Sequence, residues 1–393
     1  MPAQMLIVGS KTEQMQALAA GFKAGYRWRI ATDPEEATTI LHEDPALVLL
    51  QVETISSPQQ PLWNDFIRSC ELSNISTLLF SMEHGDIEQL RSVMPWCAGV
   101  LDTSLPLNVQ QEYLQLNVQC QAMQHDLELL EGRLFEKNME LKEGLQSAAH
   151  IQQTLLPSRF PELPKLHFAA RFVPCKTVGG DIFNVVRLDE ETVMVYMLDV
   201  SGHGVSAAMV TVSVFQALSP HTGQIIKTSQ ELPPYYQITE PEQVLRQLDN
   251  EYPFERFDKF FTMNYFLINP NSGAVRFANA AHPPALVLRA DGSLEHLDAE
   301  GTIVGMGGLV PYEQQQLNLG VGDKLFLYTD GIIEHENSVG EMFGQQHLDD
   351  LLQQQRSLPI EAQCERVIDN LYQFGEERPF RDDVTLLGVA FDD

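Results

Sequence analysis

The feature that most restricts what this chain can become is a strand ending on an acid. The apolar run from Thr192 to Leu198 stops at Asp199, and Val200-Ser201-Gly202-His203-Gly204 follows. Beyond it, Val205 to Leu218 is a small-residue, apolar stretch. That order predicts a strand, a tight loop and a buried helix, with a carboxylate at the strand tip. Upstream, Val178-Gly179-Gly180-Asp181 sets another acid behind a glycine turn, where glycine permits unusual backbone geometry or close approach. Asp330 ends the apolar run Lys324 to Thr329, and Asp382-Asp383 precede the apolar run Val384 to Val389. Taken singly, Asp330-Gly331 is a turn, Asp181 a turn acid and Asp382 a solvated or capping acid. Taken together, acids at several strand ends predict convergence on one hard cation site.

Charge narrows the reading further. A formal net charge of −29 argues against a broad basic face for nucleic acid or for an anionic membrane. Carboxylates clustered without a cation resist joint ionisation. No apolar run reaches the roughly 20 residues of a membrane helix, and the N-terminus lacks a signal-peptide pattern. The expectation is a cytoplasmic protein. The cysteines, Cys70, Cys97, Cys120, Cys175 and Cys364, have no metal-ligand spacing and read as reduced thiols.

The 393 residues suffice for two or three domains. Residues 1–106 alternate apolar runs (Met5 to Val8, Trp28 to Ala31, Ala46 to Val52, Ser76 to Phe80, Ala98 to Leu101) with amphipathic stretches. This predicts an α/β, doubly wound parallel sheet. The layout resembles a response-regulator receiver domain without its chemistry. Gly9 and Ser10 stand in place of the acidic pair, Gln51 in place of the phospho-accepting aspartate, and Leu105-Pro106 in place of Lys-Pro. The reading is a pseudo-receiver used for docking or dimerisation, with an unrelated small α/β domain as the alternative.

Residues 107–156 contain no proline. Leu116, Cys120, Met123, Leu127, Leu130 and Leu134 follow coiled-coil spacing, which Lys137 and Gly144 weaken midway. The expectation is a helical coiled-coil linker forming a homodimer; a single helix packed on its own domain is the alternative. Pro157 ends it. Residues 157–393 carry strand-like runs at Thr192 to Leu198, Met263 to Ile268, Ala274 to Ala278, Ala285 to Leu288, Lys324 to Tyr328 and Val384 to Val389. Helices are expected at 205–218, 241–250, 345–355 and 360–373. Residues 219–240, with Pro220, Pro233 and Pro234, read as a flexible excursion. The whole is an α+β sandwich of sheets flanked by helices.

Six segments in this part, AAHIQQTLLP, VGGDIFNV, LDVSGHGVSAAMV, FANAAHPP, GDKLFLYTDGIIE and RDDVTLL, occur in an order that identifies a family. They resemble the SpoIIE-type, sporulation-and-stress branch of the PPM (protein phosphatase 2C-like) metal-dependent Ser/Thr phosphatases. The resemblance implies that Asp181, Asp199, Asp330 and Asp382 are catalytic acids holding two divalent metal ions, Mn2+ or Mg2+, with the Val200 carbonyl as a further ligand. It implies a phosphorylated STAS-type anti-sigma-factor antagonist as substrate and partner, in a partner-switching pathway. Two-metal hydrolysis needs no phosphoenzyme. Asp383 is assigned to orienting a ligand or water, and His203 is disfavoured as a general acid. His282 is assigned to orienting its loop. The family usually has glycine where this chain has Ala281, and many members have a second aspartate where it has Asn184. A non-catalytic phosphoprotein-binding regulator is the alternative function. A phosphorylated response regulator is disfavoured by Gln51.

Overall fold

A computed structural model describes the chain except residues 1–2, 23–25, 56–59, 74, 82–93, 203, 221–224, 232–234 and 309. The chain forms two compact units, Met1–Met139 and Glu140–Asp393. No helix among the described residues is long and apolar enough to cross a membrane.

In the first unit β1 (Ala3–Val8), β2 (Tyr26–Ala31), β3 (Leu47–Gln51), β4 (Thr77–Phe80) and β5 (Gly99–Leu101) make one parallel sheet, ordered β2-β1-β3-β4-β5. This is a doubly wound order. Strands covered on both faces read as continuous apolar runs, and β3 is buried throughout. Between strands lie α1 (Thr12–Gly21), α2 (Pro34–Leu41), α3 (Val52–Ile55) and α4 (Gln60–Leu72). Asp33 caps α2 by accepting from the Glu36 amide at 2.9 Å, and Pro34 occupies its first turn, where no amide is needed.

Helix α5 (Leu107–Leu155) begins on this unit, where Leu114 is buried and Gln110 donates to the Leu105 carbonyl at 2.6 Å. Further along, Leu116, Met123, Leu127, Leu130, Leu134 and Leu141 are each at least 57% exposed. The helix runs unbroken through Lys137 and Gly144.

The second unit contains two antiparallel sheets. One is ordered β15 (Gln314–Asn318), β12 (Ala274–Ala280), β11 (Phe261–Ile268), β8 (Val193–Val200), β7 (Asp181–Arg187). The other is ordered β14 (Leu294–Leu297), β13 (Ala285–Leu288), β16 (Lys324–Tyr328), β17 (Val384–Phe391), β6 (Leu166–Val173). Alternation along each strand divides their side chains between faces. Phe183, Val195, Met197 and Phe266 of the first sheet meet Val287, Leu325, Leu327 and Leu387 of the second in the inner layer. Phe266 and Phe277, cross-strand partners, stack there with centroids 5.1 Å apart, worth about 0.5–1.5 kcal/mol beyond burial. Helices α6 (Val205–Ala217) and α7 (Pro241–Glu251) cover the outer face of the first sheet. The short α8 (Phe254–Phe257) follows α7, and α9 (Asp330–Ile333) follows β16. Helices α10 (Gln345–Gln354) and α11 (Ile360–Phe374) cover the second sheet.

Two expectations change. Residues 219–240 are not wholly an irregular excursion: β9 (Lys227–Ser229) and β10 (Tyr236–Ile238) pair antiparallel, and Ile225 and Ile226 are buried. Pro220 is described, whereas Pro233 and Pro234 lie outside the described residues. Asp330 does not end a strand but opens α9, after Thr329 in extended conformation.

Candidate functional site

Asp181 is the first residue of β7, Asp199 the penultimate residue of β8, and Thr262 the second of β11. The three are register partners across the sheet. Residues directly opposite one another point to the same face, and this is the inner face, at one end of the sandwich. From the facing sheet, Thr329 donates its hydroxyl to Asp181 Oδ2 at 2.8 Å, and Thr385 donates to the same oxygen. Asp181, 2% exposed, is thereby tied to both sheets.

The loop before Asp181 is equally constrained. A Cβ on Gly180 would stand 2.7 Å from the Val200 carbonyl and 3.3 Å from Asp199 Oδ1, so only glycine lets the two strand ends approach. Val200 donates its amide to the Gly180 carbonyl at 3.3 Å. Asp383 uses both carboxylate oxygens on backbone amides, accepting from Cys175 at 2.9 Å and from Gly180 at 2.6 Å. It is therefore a support of the glycine turn. Asp382 is exposed and accepts from the Asp383 amide at 2.8 Å.

The charges converge. Burial, and after it the charges of Asp330 and Asp382, raise Asp199 to about 8, with hydrogen bonding to Asp181 opposing them. Burial, and after it Asp382 and Glu334, raise Asp330 to about 6. Asp181 is held well above the usual carboxylate range by burial and by Asp199 and Asp383, against the two threonine hydroxyls. Among the described residues no Lys or Arg forms an ion pair with any of these acids. Buried like charges of this kind are relieved by a bound cation. Among the described residues no three His, Cys, Asp or Glu side chains stand close enough to hold a metal ion as placed. Asp181 Oδ2 is instead held by the hydroxyls of Thr329 and Thr385. The donor chemistry of these side chains, carboxylate oxygen, suits a hard divalent cation.

The remaining candidates separate. His282 is buried, with its amide donating to Asn279 Oδ1 at 2.7 Å and its Nδ1 hydrogen-bonded to Thr262 Oγ1 at 2.7 Å. Burial lowers its pKa to about 3, against the Tyr328 backbone, so it is a neutral loop-orienting group. Asn184 lies three residues along β7 from Asp181, on the face shared by Ile182 and Val186, so it is turned away from the acids. Its Oδ1 accepts from the Val185 amide at 2.8 Å. An auxiliary ligand role for position 184 is ruled out by that face. His203 lies outside the described residues. Sequence reasoning missed Thr329, Thr385 and Thr262; the signal was a threonine beside an acid or opposite one at a strand end.

Residues 189–392, more than half of the chain, match the family model Stage II sporulation protein E (SpoIIE), and the chain belongs to that family. Phosphoserine phosphatase RsbU of Bacillus subtilis is 29% identical over 195 residues, covering 48% of this chain and 53% of that protein. Phosphoserine phosphatase RsbP of the same organism is 25% identical over 192 residues, covering 49% and 45%. The chain thus spans about half the length of these curated relatives. Among solved structures, the SiaA-PP2C domain of Pseudomonas aeruginosa superposes with a TM-score of 0.55 at 22% identity, covering 65% of this chain and 99% of that domain. The RsbU and RsbW domains of a Mycobacterium tuberculosis protein give 0.50 at 25% identity, covering 61% and 63%. The second unit accordingly has the PP2C-like phosphatase fold.

Proposed function

We propose that this chain is a cytoplasmic, metal-dependent phosphoserine/phosphothreonine protein phosphatase. The observation that carries the reading is the convergence of Asp181, Asp199, Asp330 and Asp382 at one end of a SpoIIE-family sandwich. Asp181, Asp199, Asp330, Asp382 and the Val200 carbonyl are the groups that would hold two divalent ions. Two such ions cancel phosphate charge and activate water for attack on phosphorus. The chain's own part is to fix the acids. Thr329 and Thr385 aim one oxygen of Asp181, Asp383 holds the turn behind it, and the glycines bring the strand ends together. The proposed substrate is a phosphorylated STAS-type anti-sigma-factor antagonist, as the resemblance of the six segments implies, and a phosphoserine target accords with the names of the phosphoserine phosphatases RsbU and RsbP.

The first unit is proposed to be a pseudo-receiver docking module. Gln51, fully buried at the end of β3, accepts from the Ser10 amide at 3.1 Å, so a neutral amide occupies the place of a phospho-acceptor. Helix α5 is proposed to form a homodimeric coiled coil through its exposed apolar seam.

The test is Mn2+-dependent hydrolysis of p-nitrophenyl phosphate and of a phosphoserine STAS protein by the full chain, with Asp199→Asn and Asp382→Asn beside it. We expect Mn2+-dependent turnover to fall at least about 100-fold in both variants, comparable to the loss of other dominant electrostatic groups. Phosphoprotein binding without turnover by the unsubstituted chain would replace the enzyme with a binding regulator.

A further inference from the structure

We propose that Gln152, in the last turn of α5, is the positioning residue for Asp181. The inference rests on the reading of Asp181 as a metal ligand. Gln152 is 5% exposed, although its neighbours Ile151 and Gln153 are exposed. Its Nε2 donates to the Gly179 carbonyl at 2.8 Å, and its Oε1 accepts from the Gly179 amide at 3.1 Å. One primary amide thus satisfies both backbone groups of one residue, as a paired strand would.

The next residue is held from the other sides. The Gly180 amide donates to Asp383, and its carbonyl accepts from Thr211 Oγ1 of α6 at 2.9 Å and from Val200. Every backbone polar group of the two residues before Asp181 therefore has a partner. Neither glycine can carry a side chain, since a Cβ on Gly179 would stand 2.2 Å from Asp383 Oδ2. The turn has no side chain of its own to anchor it, and external groups set its path. Asp383 comes from directly before β17 and Thr211 from α6. Gln152 comes from the linker helix, whose end is already packed by Leu155 and Leu156. Helix anchoring alone does not require the amide; its two bonds serve the turn, and through it the direction of the Asp181 carboxylate.

The test uses the full chain with Gln152→Ala, Gln152→Glu and the exposed-neighbour control Gln153→Ala. Gln152→Glu keeps the size and one acceptor but sets a second acceptor against the Gly179 carbonyl. Three quantities are read: Mn2+ affinity by calorimetry, amide exchange in the peptide spanning 176–182, and p-nitrophenyl phosphate turnover against Mn2+ concentration. Both Gln152 variants should bind Mn2+ at least about tenfold more weakly, the scale of outer-sphere substitutions. They should exchange faster at 179–181 and recover turnover at high Mn2+, whereas Gln153→Ala matches the unsubstituted chain. Faster exchange with unchanged Mn2+ affinity overturns the proposal, leaving Gln152 a structural tie. So does unchanged exchange with unchanged affinity. An unsubstituted chain that binds no Mn2+ overturns the metal reading itself and this inference with it.

Discussion

Ala281 holds a left-handed backbone, φ 51°, directly before the buried His282. A Cβ is costly in that conformation, by about 1–2 kcal/mol. Ala281→Gly removes the strain at some cost in unfolded-state entropy, so a net gain of about 1 kcal/mol is expected in urea unfolding. His282 yields a prediction in pH. Burial sets its folded value near 3 against about 6.5 when unfolded, so between these the unfolded chain binds more protons. Its contribution is fully present above about pH 6.5 and is lost as pH falls towards 3, at up to about 1.4 kcal/mol per unit. Between pH 7 and pH 5 the chain should lose about 2 kcal/mol more than His282→Asn does; parallel curves would show that the imidazole titrates freely. Asp199, Asp330 and Asp382 were legible because each stood at or beside the end of an apolar run, and Asp181 because it followed a glycine turn. The role of Asp383 was not, because a carboxylate spent on two backbone amides carries no mark in sequence. Asn184, where many members have an aspartate, turns away from the acids because three residues along a strand is the opposite face.

Helix α5 shows where local pattern stops being informative. Its apolar seam was legible, and the helix runs unbroken from Leu107 to Leu155. Most helical stability comes from covering an apolar face, and from Leu116 to Leu141 that seam is exposed within one chain. A second copy is the proposed cover, so Leu127→Asp with Leu130→Asp should convert a dimer to a monomer in light scattering and lower helicity by circular dichroism. A monomeric unsubstituted chain at micromolar concentration would refute the coiled coil. Among strands, legibility followed position in the sheet. The six runs recognised in the second unit are the inner strands β8, β11, β12, β13, β16 and β17. The edges β6, β7, β14 and β15 were not recognised. An inner strand is covered on both faces and reads as an apolar run, whereas an edge such as Gln314–Asn318 is mostly polar. Asp181 therefore begins a strand that its own sequence barely announces, and its glycine turn was the better signal.

The two units divide the work of folding unequally, because only one concentrates buried acids. In the unit Glu140–Asp393, Asp181, Asp199 and Asp330 are all raised by burial and by neighbouring acids. That repulsion opposes folding of the metal-free chain, and a cation that binds only the folded state reverses it. Mn2+ at about 100 times its dissociation constant should add about 2.7 kcal/mol. For a unit of this size that is a rise of about 5–10 °C in Tm, at about 2–4 °C per kcal/mol. The rise should be confined to one of two calorimetric transitions, since Met1–Met139 supplies none of the acids. EDTA should return the transition to its starting temperature. Asp199→Asn separates electrostatic relief from simple ligand stabilisation: removing one of the repelling acids should raise the metal-free Tm of that transition while abolishing most of its response to Mn2+. A variant with a lower metal-free Tm and an intact Mn2+ response would mean that the acids are held by hydrogen bonds alone. The cation would then bind elsewhere.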